Sequence, residues 1–341
     1  MLRSRLRPLP ALSHLSSTDD PRDDDAAAAA AAEDEAEDIF AAFLPHLLPD
    51  DAPQFHGDPG QCLLYSSPRY GDLTIQVPSY PDQKSGSASS SSPPESDSVA
   101  SAGIVIDSTS DSGQVSAQRS LFAHFLWSAG LVVAEAVEDA HAGHEHVDEM
   151  WKVEGEKVLE LGAGAALPSI VSILAGAAEV TITDHPSSPA LRGAIAFNLK
   201  RNIPATNGCA VSIQPHEWGT LASDSWAVAN QGQFTRIIAA DCFWMTSQHK
   251  NLAQTMKWFL APEGRIWLVA GLHTGRSVVV DFLKTVVKMG LEVDTIYERD
   301  HNTSWTEGDG EIRRDWAEFR EEEGPENRSR WCIVARLKHA G

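Results

Sequence analysis

The chain has 341 residues, 42% of them hydrophobic, and a formal net charge of −21. That is enough for one large or two ordinary domains with a real core. The acidic balance argues against nucleic acid as a main partner, because phosphate binding needs clustered Lys and Arg. No apolar run approaches the ~20 residues that a membrane-spanning helix needs.

Residues 1–36 are of low complexity: Arg3, Arg5 and Arg7, then an Asp run, then an Ala run. They read as a disordered tail. The early arginines raise the question of a transit peptide, and the acids that begin at Asp19 speak against mitochondrial targeting. Residues 37–80 read as an N-terminal arm in which "CLLYSSPRYGDLTIQVP" (62–78) forms two short strands about a turn. Residues 81–118, rich in Ser, Pro, Asp and Gly, read as a disordered linker or insertion. There is no internal repeat. Cys62, Cys209, Cys242 and Cys332 are scattered without a CxxC pair, the pattern of reduced thiols in a cytosolic or nuclear protein. A cytoplasmic location and a monomer are the expectations.

From residue 119 to the end the pattern is that of one domain. Phe122, Phe125, Leu126, Ala129, Val132, Val133 and Ala136 fall on one helical face. Strands and helices then alternate: strand "EKVLEL", a helix from Leu167 with Pro168 at its start and Gly176 near its end, strand "EVTITD", helix "PALRGAIAFNLKRN", and strand "AVSIQPHEW". Strand "FTRIIAAD", helix "SQHKNLAQTMKWFLAP", strand "GRIWLVAG" and helix "RSVVVDFLKTVVKMG" follow. Two last strands, "LEVDTIYER" and "RWCIVARLK", are separated by a polar, acidic stretch. Seven strands with interleaved helices make a doubly wound α/β sheet, mostly parallel, with the last strand antiparallel.

In such a sheet ligands bind at the carboxyl ends of the strands, where the strand order reverses. The first turn lies in "VLELGAGAALPSI" (158–170), where Gly162 and Gly164 permit close approach of the backbone and positive φ. The dinucleotide pattern G-x-G-x-x-G is incomplete, with Leu167 at the third glycine position. Glu160, just before the turn, would repel a diphosphate. An adenosyl ligand without phosphates fits better, and an acid suits the sulfonium and ammonium of S-adenosylmethionine. Asp184 ends the second strand, where a carboxylate accepts from ribose hydroxyls in both dinucleotide and adenosyl folds. Asp241 is a second strand-end acid at the binding edge, and His273 ends the fifth strand on the same side. His141, His144 and His146 match no common zinc spacing and read as a solvated loop. Trp267 alternates within an apolar strand and reads as packing, and "EFREEEGPENR" reads as a solvated segment. A hydrolase triad is set aside because there is no G-x-S-x-G elbow. No metal is called for.

With "FLWSAG", "VLELGAGAALPSI", "VTITDHP", the "EW" after the third strand and "AADCFWM" after the fourth, the sequence resembles methyltransferase family 16 over roughly residues 119–300. That family is the seven-strand, S-adenosylmethionine-dependent group of Rossmann-like class I methyltransferases. It includes lysine methyltransferases of translation factors and chaperones, and a fungal nicotinamide N-methyltransferase-like branch to which "ADCFWM" and "AGLHTGR" are closest. The resemblance implies cofactor contacts from Trp127, Glu160, Gly162, Ala163, Gly164, Asp184, Trp218 and Ala240. Asp241 opens the family's D-x-x-Y motif at the methyl-transfer site, where this chain has Trp244 as the fourth residue. Phe243 and His273 are substrate-side candidates. The implied reaction is N-methylation of a protein lysine or N-terminal amine, with a translation factor among the candidate partners. A small amine or pyridine acceptor is the alternative. A dinucleotide-dependent oxidoreductase and a non-catalytic cofactor-binding module are remoter ones.

Overall fold

The computed structural model describes residues 5–9, 55–79, 125–143, 151–301, 303, 311–321 and 323–341. The linker expected over 81–118, most of the expected tail, and His144 and His146 lie outside these residues.

The central strands are β6 (Lys157–Glu160), β7 (Glu179–Asp184), β8 (Ala210–Pro215), β9 (Phe234–Ala240), β10 (Leu260–Gly271), β11 (Leu291–Asp300), β12 (Arg313–Asp315) and β13 (Trp331–His339). They form one sheet in the order β12-β11-β13-β10-β9-β6-β7-β8. From β8 to β10 every neighbouring pair is parallel. β13 runs antiparallel to both β10 and β11. The sheet therefore has eight strands rather than seven. The extra one, β12, lies in the acidic stretch read as irregular and pairs antiparallel with β11 through Tyr297 and Asp315, Glu298 and Arg314, and Arg299 and Arg313. Three residues of mixed charge carry no period-two signal, so sequence patterning could not reveal them.

Side-chain alternation sorts the strands onto two cores. Val158, Ile182, Ile238 and Val269 face α1 (Ser128–Ala142), α2 (Leu167–Leu174) and α3 (Ala194–Asn202). Leu159, Ile237, Ala239 and Leu268 face the short α4 (Ser225–Ala229), α5 (His249–Phe259) and α6 (Arg276–Lys288). After β6 the chain winds outward through β7 and β8, then returns to β9 and winds the other way. The switch point lies between β6 and β9, where a crevice opens at the strands' carboxyl ends.

The first domain helix starts later than its apolar periodicity suggests. Leu126–Trp127 is extended (β5) and pairs antiparallel with Phe55–His56 (β2) of the arm, and Trp127 is the helix N-cap with φ −85° and ψ 144°. Backbone pairing to the arm takes these residues out of the helix. The arm itself is a hairpin of β3 (Cys62–Ser67) and β4 (Gly71–Gln76). Its alternation buries Leu63, Tyr65, Leu73 and Ile75 against α1 and its neighbours. The open edge of β4 is closed by two side-chain amides one helical turn apart on α3. Asn202 bonds the amide and carbonyl of Thr74, and Asn198 bonds those of Gln76.

Within the stretch read as a tail, Leu6–Pro8 forms β1 and pairs with β3. Arg5 is buried against α1, 3.4 Å from Glu135 and 3.2 Å from Glu138. Glu138 also accepts from Tyr65, Ser67 and the Arg69 amide, and Glu135 pairs with buried Arg299 of β11. Removing one partner of such a cluster leaves uncompensated buried charge, so Arg5→Ala is expected to lower unfolding free energy by about 2–4 kcal/mol. Arg7, exposed beside Asp72, is the control: Arg7→Ala should change it by less than ~0.5 kcal/mol. Urea denaturation midpoints of the two variants check this.

Candidate active site

The crevice measures about 780 Å³ including its mouth, and Trp127, Gly162, Gly164, Asp184, Trp218 and Ala240 are among its lining residues. Its floor is the turn after β6. Leu161 N–H donates to Ile238, Ala163 N–H to Thr183, and Gly164 N–H to Asp184 Oδ2 at 2.9 Å. The turn is thereby tied to both neighbouring strands. Gly162 (φ +64°) and Gly164 (φ +52°) are left-handed. A Cβ on Gly162 would meet Cys242 Sγ at 3.0 Å and Trp218 Cζ2 at 3.3 Å, whereas one on Gly164 would meet nothing within 4 Å. Gly162 is thus demanded by close packing, and Gly164 leaves open room above the backbone.

Asp184 Oδ1 accepts from the His185 amide at 2.7 Å while Oδ2 accepts from Gly164. A carboxylate oxygen can accept more than one hydrogen bond, as binding of a ribose diol requires. Trp218, held beside Gly162, supplies a flat apolar wall at the same end. His216, next to it, is buried between Trp226 and Phe259.

Glu160 is not in the crevice. It is 2% exposed, and its carboxylate accepts from the amide and hydroxyl of Ser169 in the first turn of α2. It satisfies a helix N-terminus rather than facing a ligand, so the expected cofactor contact and the expected repulsion of a diphosphate both fall away. Burial, opposed by the Ser169 bonds, pushes its carboxyl up to about 8. Ala163 is likewise buried beneath the turn and is not among the lining residues.

Much of the remaining lining is aromatic. Phe125, Trp127, Trp244 and Met245 line the crevice together with Asp241. Asp241 is buried, with φ +51°. Its Oδ1 accepts from the Gly271 amide at 2.9 Å and lies 4.0 Å from His273 Nδ1. Burial raises its pKa, and His273 and the Gly271 and Ala129 amides hold that rise back. His273 also stacks on Trp127, with centroids 4.7 Å apart, so it backs the site through these two residues. Phe243 does not reach the crevice: it is buried and stacked on Phe282 at 4.5 Å.

Sequence reasoning missed Phe125, His185, Ser187, Ser188, His216, Cys242 and Met245 as lining residues. Most flank residues that were found, and adjacency to Asp184 or Asp241 is the signal that could have included them. His141 bonds the Tyr70 hydroxyl at 2.6 Å. No group of His, Cys, Asp and Glu suited to a metal occurs among the described residues, and all four cysteines are free thiols.

A doubly wound sheet with this strand order, two left-handed glycines at its first turn and a ribose-type acid at its second strand is that of a class I S-adenosylmethionine-dependent methyltransferase. Comparison with known protein sequences agrees. A family described as lysine methyltransferase matches residues 114–288, and the chain belongs to that family. It is 28% identical over 206 residues to the protein N-terminal and lysine N-methyltransferase EFM7 of Yarrowia lipolytica, covering 54% of this chain and 71% of that protein. To the Eremothecium gossypii protein of the same name it is 32% identical over 184 residues, covering 52% and 66%. Among solved structures, a TehB-like SAM-dependent methyltransferase from Corynebacterium glutamicum gives a TM-score of 0.39 at 16% identity, over 67% of this chain and 96% of that one.

Two outcomes follow from the geometry. Gly162→Ala should weaken S-adenosylhomocysteine binding at least about tenfold in calorimetry, because its Cβ pushes on Trp218 and Cys242 and its φ is left-handed. Glu160 gives a pH signature. A carboxyl whose folded pKa exceeds its unfolded value near 4.5 adds stability below that value and loses it as pH rises through about 8. Wild type should therefore lose stability relative to Glu160→Gln between about pH 5 and 8.5, by on the order of 2 kcal/mol. Thermal melts across that range check it.

Proposed function

We propose that the chain transfers a methyl group from S-adenosylmethionine to an amine nitrogen of a protein, either a lysine side chain or an N-terminal α-amine. The observation that carries this reading is Asp241, a buried carboxylate that lines the crevice together with Trp127 and Trp244. The names of the relatives, protein N-terminal and lysine N-methyltransferase, support the same acceptor class. Among protein acceptors, translation factors stand first on the sequence resemblance alone.

The sulfonium of the bound cofactor supplies an already activated methyl group. The protein aligns the acceptor and excludes water. Asp184 would hold the sugar, Trp218 would pack beside the base, and the Gly162–Gly164 backbone would support the remainder. An ammonium must lose a proton before its nitrogen can attack. Asp241 attracts the cation, and burial makes its carboxylate a stronger base than an exposed one. Trp244, where the family has Tyr, offers a π face and no phenol hydroxyl, so it contributes a wall and not a proton acceptor.

A pyridine nitrogen needs no deprotonation, which separates the two acceptor classes. The test is incubation of labelled-methyl cofactor with whole-cell protein extract and, in parallel, with nicotinamide. Label in a protein band supports the reading, and label in nicotinamide alone contradicts it. Asp241→Asn keeps an oxygen for the Gly271 amide. It should lower the rate of protein labelling by about 100-fold or more while S-adenosylhomocysteine affinity stays within about threefold. An unchanged rate would remove Asp241 from the chemistry.

A further inference from the structure

The aromatic end of the crevice is not built by the methyltransferase module alone. Phe55 comes from the arm, outside the matched residues 114–288. Its backbone pairs with that of Trp127 in the two-residue ladder β2–β5. Its ring lies 4.4 Å from that of Phe125 and 5.8 Å from that of Trp127, the latter edge-on. Phe125 and Trp127 line the crevice, while Phe55 packs on both of these rings without lining it and remains 43% exposed. An aromatic ring with two ring neighbours and an open face is poorly explained as core.

The arm that carries it is fixed to the domain at several points. His56 bonds Ser128 at the start of α1 at 3.0 Å, α3 bonds the β4 backbone, and Arg5 is anchored on α1. Phe55 is therefore presented on a preorganised element rather than on a loose tail. Its position relative to Asp241 follows through shared neighbours: Trp127 stacks on His273, which lies 4.0 Å from Asp241. Phe55 is thus linked through Trp127 and His273 to Asp241.

We infer that Phe55 is a specificity-determining residue: with Phe125 and Trp127 it forms the aromatic wall along which the aliphatic stem and cationic end of the protein acceptor's amine enter. The wall has no hydrogen-bonding groups on Phe55 or Phe125, so it selects by apolar contact with methylenes and by attraction of the ring faces for a cation. It would take an unbranched or N-terminal amine and reject an acidic side chain. This inference rests on the protein-amine reading above.

The test compares wild type, Phe55→Ala and Phe55→Tyr in three measurements: S-adenosylhomocysteine affinity by calorimetry, thermal midpoint, and initial rate of label transfer to limiting whole-cell protein extract. Phe55→Ala should bind S-adenosylhomocysteine within about twofold of wild type, melt within a few degrees of it, and transfer label at least about tenfold more slowly. Phe55→Tyr, which keeps the ring, should recover most of the rate. A Phe55→Ala rate within about twofold of wild type would overturn the inference, and so would a loss of cofactor affinity that accounts for the whole loss of rate. Wild type that binds S-adenosylhomocysteine but labels no protein would remove the protein-amine reading itself, and the inference with it. Wild type that labels protein while Phe55→Ala matches it would remove the inference alone.

Discussion

The Gly164 amide and the Asp184 carboxylate meet at 2.9 Å, and the cofactor end of the site depends on that contact. It joins the turn after the first parallel strand to the end of the second, so the glycine turn and the crevice-lining acid proposed to hold the cofactor are set by one hydrogen bond. Gly162 fixes the other side of the turn by letting Trp218 and Cys242 come close. Glu160, buried beneath, secures the start of α2 through Ser169. The acid of the first strand is thus a structural support, whereas the acid of the second strand lines the crevice, although both precede turns in the same sheet.

The aromatic region proposed to receive the acceptor is organised differently. It is assembled from distant parts of the chain: Asp241 and Trp244 after β9, His273 after β10, Trp127 before α1, and Phe55 from the arm. The arm has its own apolar face and is locked on by buried charge at Arg5, Glu135 and Glu138. Phe55–His56 of the same arm is the strand partner of Leu126–Trp127, next to the start of α1. Stability at the arm and geometry at the crevice are therefore coupled through α1, which is buried nearly along its whole length.

Much of this was legible in the sequence. The strand–helix alternation marked the doubly wound sheet, and the spacing of Gly162, Gly164 and Asp184 marked residues that the structure brings together in one crevice, because these depend on local periodicity and on the sterics of positive φ. What escaped depends on contacts remote in sequence. Glu160 looks like a ligand group until Ser169 is seen to take its carboxylate. Leu126 and Trp127 read as helix because their apolar spacing fits one, and only pairing with Phe55 and His56 makes them extended. Leu6–Pro8 has no pattern of its own and becomes a strand by pairing with β3. Phe243 and Trp244 are neighbours in sequence and part company in space, one stacked on Phe282 in the core and the other in the crevice. β12 is too short and too charged for any periodicity to mark it.

The most direct measurement is a crystal structure of the protein soaked or grown with saturating S-adenosylhomocysteine. Ribose hydroxyls within hydrogen-bond distance of both Asp184 oxygens, the base against Trp218, and the sulfur directed toward Asp241 and Trp244 are the expected result. A sugar bound away from Asp184, or a ligand seated elsewhere with the Gly162–Gly164 turn bare, would contradict it.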